Sequence, residues 1–273
     1  MAGTDNVAIA RWAREVMQWP DDSDSFSVDR LEAGYSWQTS RVSATHGSVI
    51  VRIAPRGGTV EPYSAADEAA IIRAAGAAGI PVPEVLAVDD GARFGTPASM
   101  QTDVAGRVVR PGHDVVAAEA DVYRAAFATT LAAIHNDMEP DPITITDSYR
   151  RELSRSRAHY TRCSPSAHPG FEIGRWWLLA NLPDDARRAV QCHGDYRLTN
   201  LLWSDVGRLA AVLDWERAWT GDPMCDVAFT RMFSGWCSIT GDAAERYTAA
   251  SGIAVDEDRL QYATAFERWR SFT

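Results

Sequence analysis

QCHGDYRLTNLLWSDVGRLAAVLDWERAWTGDPMCD, residues 191–226, packs six acidic side chains among short apolar runs. An apolar-leaning run over 188–192 ends on His193, Gly194 and Asp195, and Asn200 follows five residues after Asp195. Residues 201–203 and 209–213 read as two strands around a turn at 205–207, because apolar runs separated by Asp and Gly are a hairpin signal. The second strand runs out onto Asp214, Trp215 and Glu216. Such a hairpin brings Asp195, Asn200 and Asp214 to one end of a sheet. Asp222-Pro223 then reads as a helix start with Pro at the first helical position. Gly194 supplies backbone freedom, and His193 reads as a loop brace rather than a proton carrier.

These three side chains have a chemical reading. Phosphoryl transfer from a nucleotide needs a group that positions or deprotonates the attacking hydroxyl, and oxygen ligands for a metal. Mg²⁺ takes hard oxygen donors from one or two side chains plus the phosphates. Asp195 suits the first role; Asn200 and Asp214 suit the second. The Asp195-to-Asn200 spacing is that of the protein-kinase catalytic loop, with Gly194 where that loop carries Arg.

The motifs HGDYRLTN, VLDWE and GDPMCD resemble the aminoglycoside phosphotransferase and choline kinase branch of the protein-kinase-like fold. The resemblance implies an α+β, two-lobed architecture. A small mixed β-sheet lobe, 1–104, binds the nucleotide and has its hinge near 101–104; a larger, mainly helical lobe, 105–273, carries catalysis and the acceptor. It implies ATP, with GTP possible, as phosphoryl donor, Mg²⁺ as metal and a small-molecule hydroxyl as acceptor. Asp226 ties its segment to the catalytic loop. Glu216 and Arg197 face the substrate, and Glu216 is also placed to reach a second metal. Arg52 stands on a strand where kinases keep the lysine that contacts the phosphates, and Glu68 is its expected partner. By the same resemblance, main-chain groups around Gln101, Thr102 and Asp103 would hold the purine. The preferred acceptor is a hydroxylated natural product such as an antibiotic; the alternatives are a metabolic hydroxy acid, sugar or amino alcohol, and a nucleotide-binding protein without turnover. Only 11 residues separate Asp214 from Asp226, which leaves no room for the activation loop that a protein kinase uses to dock peptides.

The remainder fits this frame. Residues 5–19 fit a helix with Ala8, Trp12, Val16 and Trp19 on one stripe. Strands at 26–31, 39–43 and 49–53 follow, and the bend holding Gly34 and Ser36 can lay N–H groups over phosphates. A helix over 67–78 ends at Gly79 and Pro81. Residues 115–136 read as a long helix ending near a satisfied His135, 149–160 as a basic amphipathic helix with a solvated face, and 174–182 as a helix with Trp176 and Trp177 in the core. The acids Asp242, Glu245, Asp256, Glu257, Asp258 and Glu267 fall in two terminal helices, which by the resemblance wall the acceptor pocket.

Composition excludes other classes. The net charge is −10, which disfavours nucleic acid as a partner. No apolar run reaches the ~18 residues of a membrane span. Arg11, Arg14 and Glu15 interrupt the N-terminal apolar segment, which argues against a secretory leader. The 4 cysteines show no metal-type spacing and read as reduced thiols of a cytoplasmic protein. All 27 basic residues are Arg, so any phosphate-binding cation must be Arg too. The oligomeric state is not written in the sequence.

Overall fold

The computed structural model describes residues 6–20, 26–31, 37–55, 64–110, 118–164, 166 and 168–271. They fall into two compact units, Met1–Arg73 with Pro83–Val104, and Ala74–Val82 with Ala105–Thr273. Residues 74–82, given to the first lobe from sequence, group with the second unit. The Val212 N–H donates to the Pro81 carbonyl at 2.8 Å, which holds that stretch there.

The first unit is a five-stranded sheet with a helix on it. Its elements are α1 (Asn6–Met17), β1 (Ser27–Leu31), β2 (Gln38–Ala44), β3 (Gly47–Ile53), most of α2 (Ala65–Ala77), β4 (Val85–Asp89) and β5 (Ala98–Thr102). Strand order is β1-β2-β3-β5-β4. Every pair is antiparallel, so the sheet is not the mixed one expected. The reason is β5. β3 and β4 run the same way across the intervening helix, but β5 inserts between them and opposes both. Alternation sorts the faces of β3: Val49, Val51 and Ile53 turn into a core with Ile9, Trp12, Ala13, Ala98 and Met100. Trp12 meets Phe94 edge-on at 5.5 Å. α2 ends where predicted: Gly79 has φ +82, and the Ile80 N–H reaches back to the Ala75 carbonyl at 3.0 Å.

The second unit is mainly helical. It contains β6 (Arg107–Val108), α3 (Ala120–Asp137), α4 (Ile145–Cys163), α5 (Pro169–Ala180), β7 (Val190–Cys192), β8 (Leu201–Asp205), β9 (Arg208–Val212), β10 (Trp219–Gly221), α6 (Pro223–Phe233), α7 (Asp242–Ser251) and α8 (Glu257–Arg270). β8 and β9 are the hairpin read from sequence, with β6 on the outer side of β8. A separate two-stranded ladder pairs β7 with β10. α6 is buried along its first two turns, from Pro223 to Thr230. Asp222 caps it by accepting from the Met224 N–H at 2.8 Å. α4 is amphipathic, as read from sequence: Tyr149, Glu152, Leu153 and His159 turn one face inward while Arg150, Arg151 and Arg157 are exposed.

α5 overturns an expectation. Trp176 and Trp177 are 70% and 45% exposed, and Ile173 is 65% exposed. The buried positions are Phe171 and Leu178. Gly174 explains the placement, since an added Cβ there would lie 2.9 Å from the Trp269 ring. α5 thus lays its Gly174 side on α8 and turns the indole of Trp176 outward. Cys192, Cys225 and Cys237 are buried free thiols. Among the described residues, no helix is long and apolar enough to cross a membrane.

Candidate active site

The centre of the second unit is the loop between β7 and β8. β7 ends at Cys192, His193–Arg197 make the loop, and a single 3-10 turn at Leu198–Asn200 leads into β8. Asp226, at the start of α6, fixes the loop from beneath. Its carboxylate accepts the His193 N–H at 2.8 Å and the Gly194 N–H at 2.7 Å. It also takes His135 Nε2 at 3.0 Å. These donors overcome its burial and hold the Asp226 carboxyl below the usual range. His135 in turn contacts the Tyr247 hydroxyl at 2.7 Å. His135, Cys192 and Asp226 have the spacing of a metal cluster, with ligand atoms within 4.8 Å of one another. Their hydrogen bonds make them a brace under the loop instead.

His193 is also a brace, and its tautomer follows from its partners. Nδ1 accepts the Asp195 N–H at 3.2 Å, so the proton sits on Nε2 and is donated to the Leu213 carbonyl at 3.0 Å. Burial keeps the ring neutral by lowering its pKa. One side chain therefore joins the loop to the end of β9. Tyr196 anchors the other side: its hydroxyl donates to the Phe127 carbonyl at 2.9 Å.

Asn200 and Asp214 meet at the end of the hairpin. Asn200 Nδ2 donates to the Asp195 carbonyl at 2.9 Å, and the Asn200 carbonyl accepts the Leu213 N–H at 2.8 Å. Asp214 follows in the left-handed region, with φ 66 and ψ 61. A non-glycine residue there is strained, and Asp tolerates it better than most. The backbone reverses at that point into a 3-10 turn, Trp215–Arg217, which holds the buried Glu216. Asn200 and Asp214 thereby stand at one end of the hairpin, with the Asn200 side chain on the Asp195 carbonyl and Asp214 in electrostatic reach of Asp195. Asp195 is buried, which pushes its carboxyl up to about 7, while the Arg197 guanidinium opposes that rise. Arg197 Nε lies 3.1 Å from Asp195 Oδ1, in ion-pair distance but outside hydrogen-bonding geometry. Asn200 and Asp214 offer hard oxygen donors of the kind Mg²⁺ prefers.

The first unit contributes a separate feature. Arg52 on β3 is ion-paired with Glu68 on α2, and both are largely buried. The Arg52 guanidinium also lies 5.4 Å from the centre of the Trp37 ring. Gln101 sits in β5 opposite Ile50 and Val85. The Thr102 N–H is spent on the Glu84 carbonyl at 2.9 Å. The Asp103 carboxylate takes Arg41 Nε at 2.8 Å and the Ser48 hydroxyl at 2.7 Å, so its side chain ties β2, β3 and β5 together. Gly34 and Ser36 lie outside the described residues.

Three of the six acids named in the terminal helices are engaged by other groups. Asp256 caps α8, Glu257 pairs with Arg231, and Glu267 is buried against Arg270. Sequence reading missed Tyr196, Arg217 and Arg270. The last had a signal: Glu267 and Arg270 form an i,i+3 charge pair flanking Trp269 and following Phe266, an apolar setting that surface pairs lack.

Residues 27–263 match the family model described as the phosphotransferase enzyme family. Among curated proteins, the chain is 28% identical over 224 residues to acyl-CoA dehydrogenase family member 11 of Homo sapiens. That alignment covers 78% of this chain and 28% of the relative, so the chain spans under a third of the curated protein's length. Among solved structures, it resembles the choline kinase of Streptococcus pneumoniae, with TM-score 0.67 and 17% identity over 96% of this chain and 88% of the other. It also resembles a thermostable mutant of an aminoglycoside phosphotransferase in ternary complex with ADP and hygromycin B, with TM-score 0.65 and 16% identity over 96% and 89%. Both likenesses are to the two-lobed kinase-like fold.

Proposed function

The chain belongs to the phosphotransferase enzyme family, and on that premise we propose that it moves the γ-phosphoryl group of ATP, or of GTP, onto a hydroxyl of a small molecule. One observation carries the reading: a buried Asp195 on a loop clamped by Asp226, with Asn200 and Asp214 at the end of the same hairpin. In this reading the acceptor oxygen attacks the γ-phosphorus as its O–H bond breaks. The proton passes to the Asp195 carboxylate, the bond from the γ-phosphorus to its bridging oxygen breaks, and the nucleoside diphosphate leaves. Asn200 Oδ1 and the Asp214 carboxylate would hold Mg²⁺, which supplies charge neutralisation on the phosphates. Arg52, oriented by Glu68 and Trp37, adds positive charge toward them, as a lysine does in kinases. In this reading Gly34, Ser36 and the main chain near Gln101 and Asp103 serve the nucleotide, and Glu216 and Arg197 serve the acceptor or a second metal.

For the acceptor, the solved neighbour holding hygromycin B supports a hydroxylated antibiotic or related natural product. A metabolic hydroxy acid is the second reading. It is favoured by Arg197 beside Asp195, and by the terminal-helix acids Asp256, Glu257 and Glu267 being committed to caps and ion pairs rather than to a cationic ligand. The dehydrogenase name of the curated relative fits that metabolic setting. We place the activity in the cytoplasm, in keeping with buried free thiols. The test is a panel of aminoglycosides, sugars, amino alcohols and hydroxy acids with Mg²⁺ and ATP or GTP, read by mass gain of one phosphate. Modification confined to one class identifies the acceptor, and nucleotide binding without any transfer would reject the enzyme reading.

A further inference from the structure

Gly194, immediately before Asp195, is pressed against the segment that follows Asp214. A Cβ on Gly194 would lie 2.1 Å from the Arg217 carbonyl oxygen, and its φ is +77. Two arginines lock this contact. Arg217 Nε donates to the Gly194 carbonyl at 3.2 Å. Arg270 Nη2, from the last turn of α8, donates to the Arg217 carbonyl at 2.7 Å. Arg270 is itself fixed on every side: Nε donates to Glu152 Oε1 on α4 at 3.1 Å, Nη1 to Glu267 Oε1 at 3.3 Å, and its guanidinium lies 5.1 Å from the Trp219 ring centre. Glu267 Oε2 lies 3.7 Å from Arg217 Nη2 and closes the circuit. Arg270 and Glu267 are 3% and 0% exposed. Burying such a network is expensive, and hydrophobic packing would serve stability as well. What the charges add is direction, because only a planar fork can hold two carboxylates and a carbonyl at once.

We propose that Arg270 and Arg217 are positioning residues for phosphoryl transfer: α8 sets the depth and orientation of Asp195 through the Arg270–Arg217–Gly194 relay. The proposal rests on the phosphotransferase reading for its kinetic consequence and on the geometry alone for its effect on the loop. Arg270 touches no reacting atom.

Two variants test it. Arg217→Met removes the donor to Gly194 and leaves the Glu267–Arg270 pair intact. Arg270→Met combined with Glu152→Gln and Glu267→Gln removes the relay without stranding a buried charge. Hydrogen exchange over 193–197 and 214–217, melting temperature, and ATP turnover with Mg²⁺ are measured on each. The proposal expects faster exchange confined to those segments. It expects kcat down by about 10–100-fold, the scale of a small misplacement at the reacting centre, with nucleotide KM within about twofold. Wild-type exchange or wild-type kcat in a folded variant overturns it. So does a joint fall of kcat, nucleotide affinity and melting temperature, which marks a merely structural role. If the wild-type chain turns over no nucleotide, the phosphotransferase reading fails, and the exchange data alone uphold or reject the relay.

Discussion

Asp195 is buried at a cost that depends on pH. Its folded pKa, pushed up to about 7 by burial, lies above the ordinary 3.8. The stability lent by the protonated form is therefore full in acid and is lost as pH rises from about 4 through 7. Asp195→Asn mimics the protonated form, so it should match the wild-type melting temperature near pH 4 and exceed it at pH 8. Parallel melting curves across that range would contradict the burial argument. Asp214 carries a different constraint, its left-handed backbone. Asn tolerates that conformation and Ala does not, at a difference of about 1 kcal/mol. Asp214→Asn should abolish Mg²⁺-dependent transfer with a near-normal melting temperature, whereas Asp214→Ala should lose transfer and stability together. Transfer retained by Asp214→Asn would remove it from the metal site. The sequence announces both aspartates through their spacing, but not the φ of Asp214, which depends on how β9 leaves the hairpin.

Strands and helices were legible where one face is apolar and the other polar. β3 alternates strictly, and α1 shows its Trp12 stripe. α5 was not legible, because IGRWWLLA is apolar nearly all round and such a helix reads as buried. Contact with α8 decided its orientation, through Gly174 against Trp269. Gly174→Ala should therefore cost about 1–3 kcal/mol by overpacking, since Trp269 is pinned by stacking on Phe171 and by its Nε1 bond to the Phe171 carbonyl. Trp176→Glu should change stability by no more than about 0.5 kcal/mol, as surface substitutions do. Chemical denaturation of the two variants separates them, and equal losses would show that α5 packs otherwise. The β3–α2 ion pair makes a further claim. Arg52 and Glu68 should couple by more than the ~0.2–1 kcal/mol of an exposed pair. A double-mutant cycle on stability and on nucleotide affinity measures it, and additive losses would reduce the pair to an ordinary surface contact.

The chain as a whole was legible in the segment where chemistry is local in sequence. Asp195, Asn200, Asp214 and Asp226 lie within one stretch, and the fold merely folds that stretch back on itself. What escaped was assembled from afar: Arg270 meets Glu152 across a separation of 118 residues, and His135 meets Asp226 across 91. No local pattern encodes such pairs. The antiparallel order of the small sheet escaped for the same reason, since it depends on β5 inserting between β3 and β4. The mechanism turns on Asp195 taking the acceptor's proton during phosphoryl transfer. Its most direct measurement compares wild type with Asp195→Asn on an acceptor found by the phosphate mass-gain panel, recording kcat and nucleotide affinity on the same preparations. With Asp195 as proton acceptor, kcat should fall by roughly 10²–10⁴-fold, the range of general base catalysis, while nucleotide affinity stays near normal. A folded Asp195→Asn variant that phosphorylates the acceptor at close to the wild-type rate would contradict it.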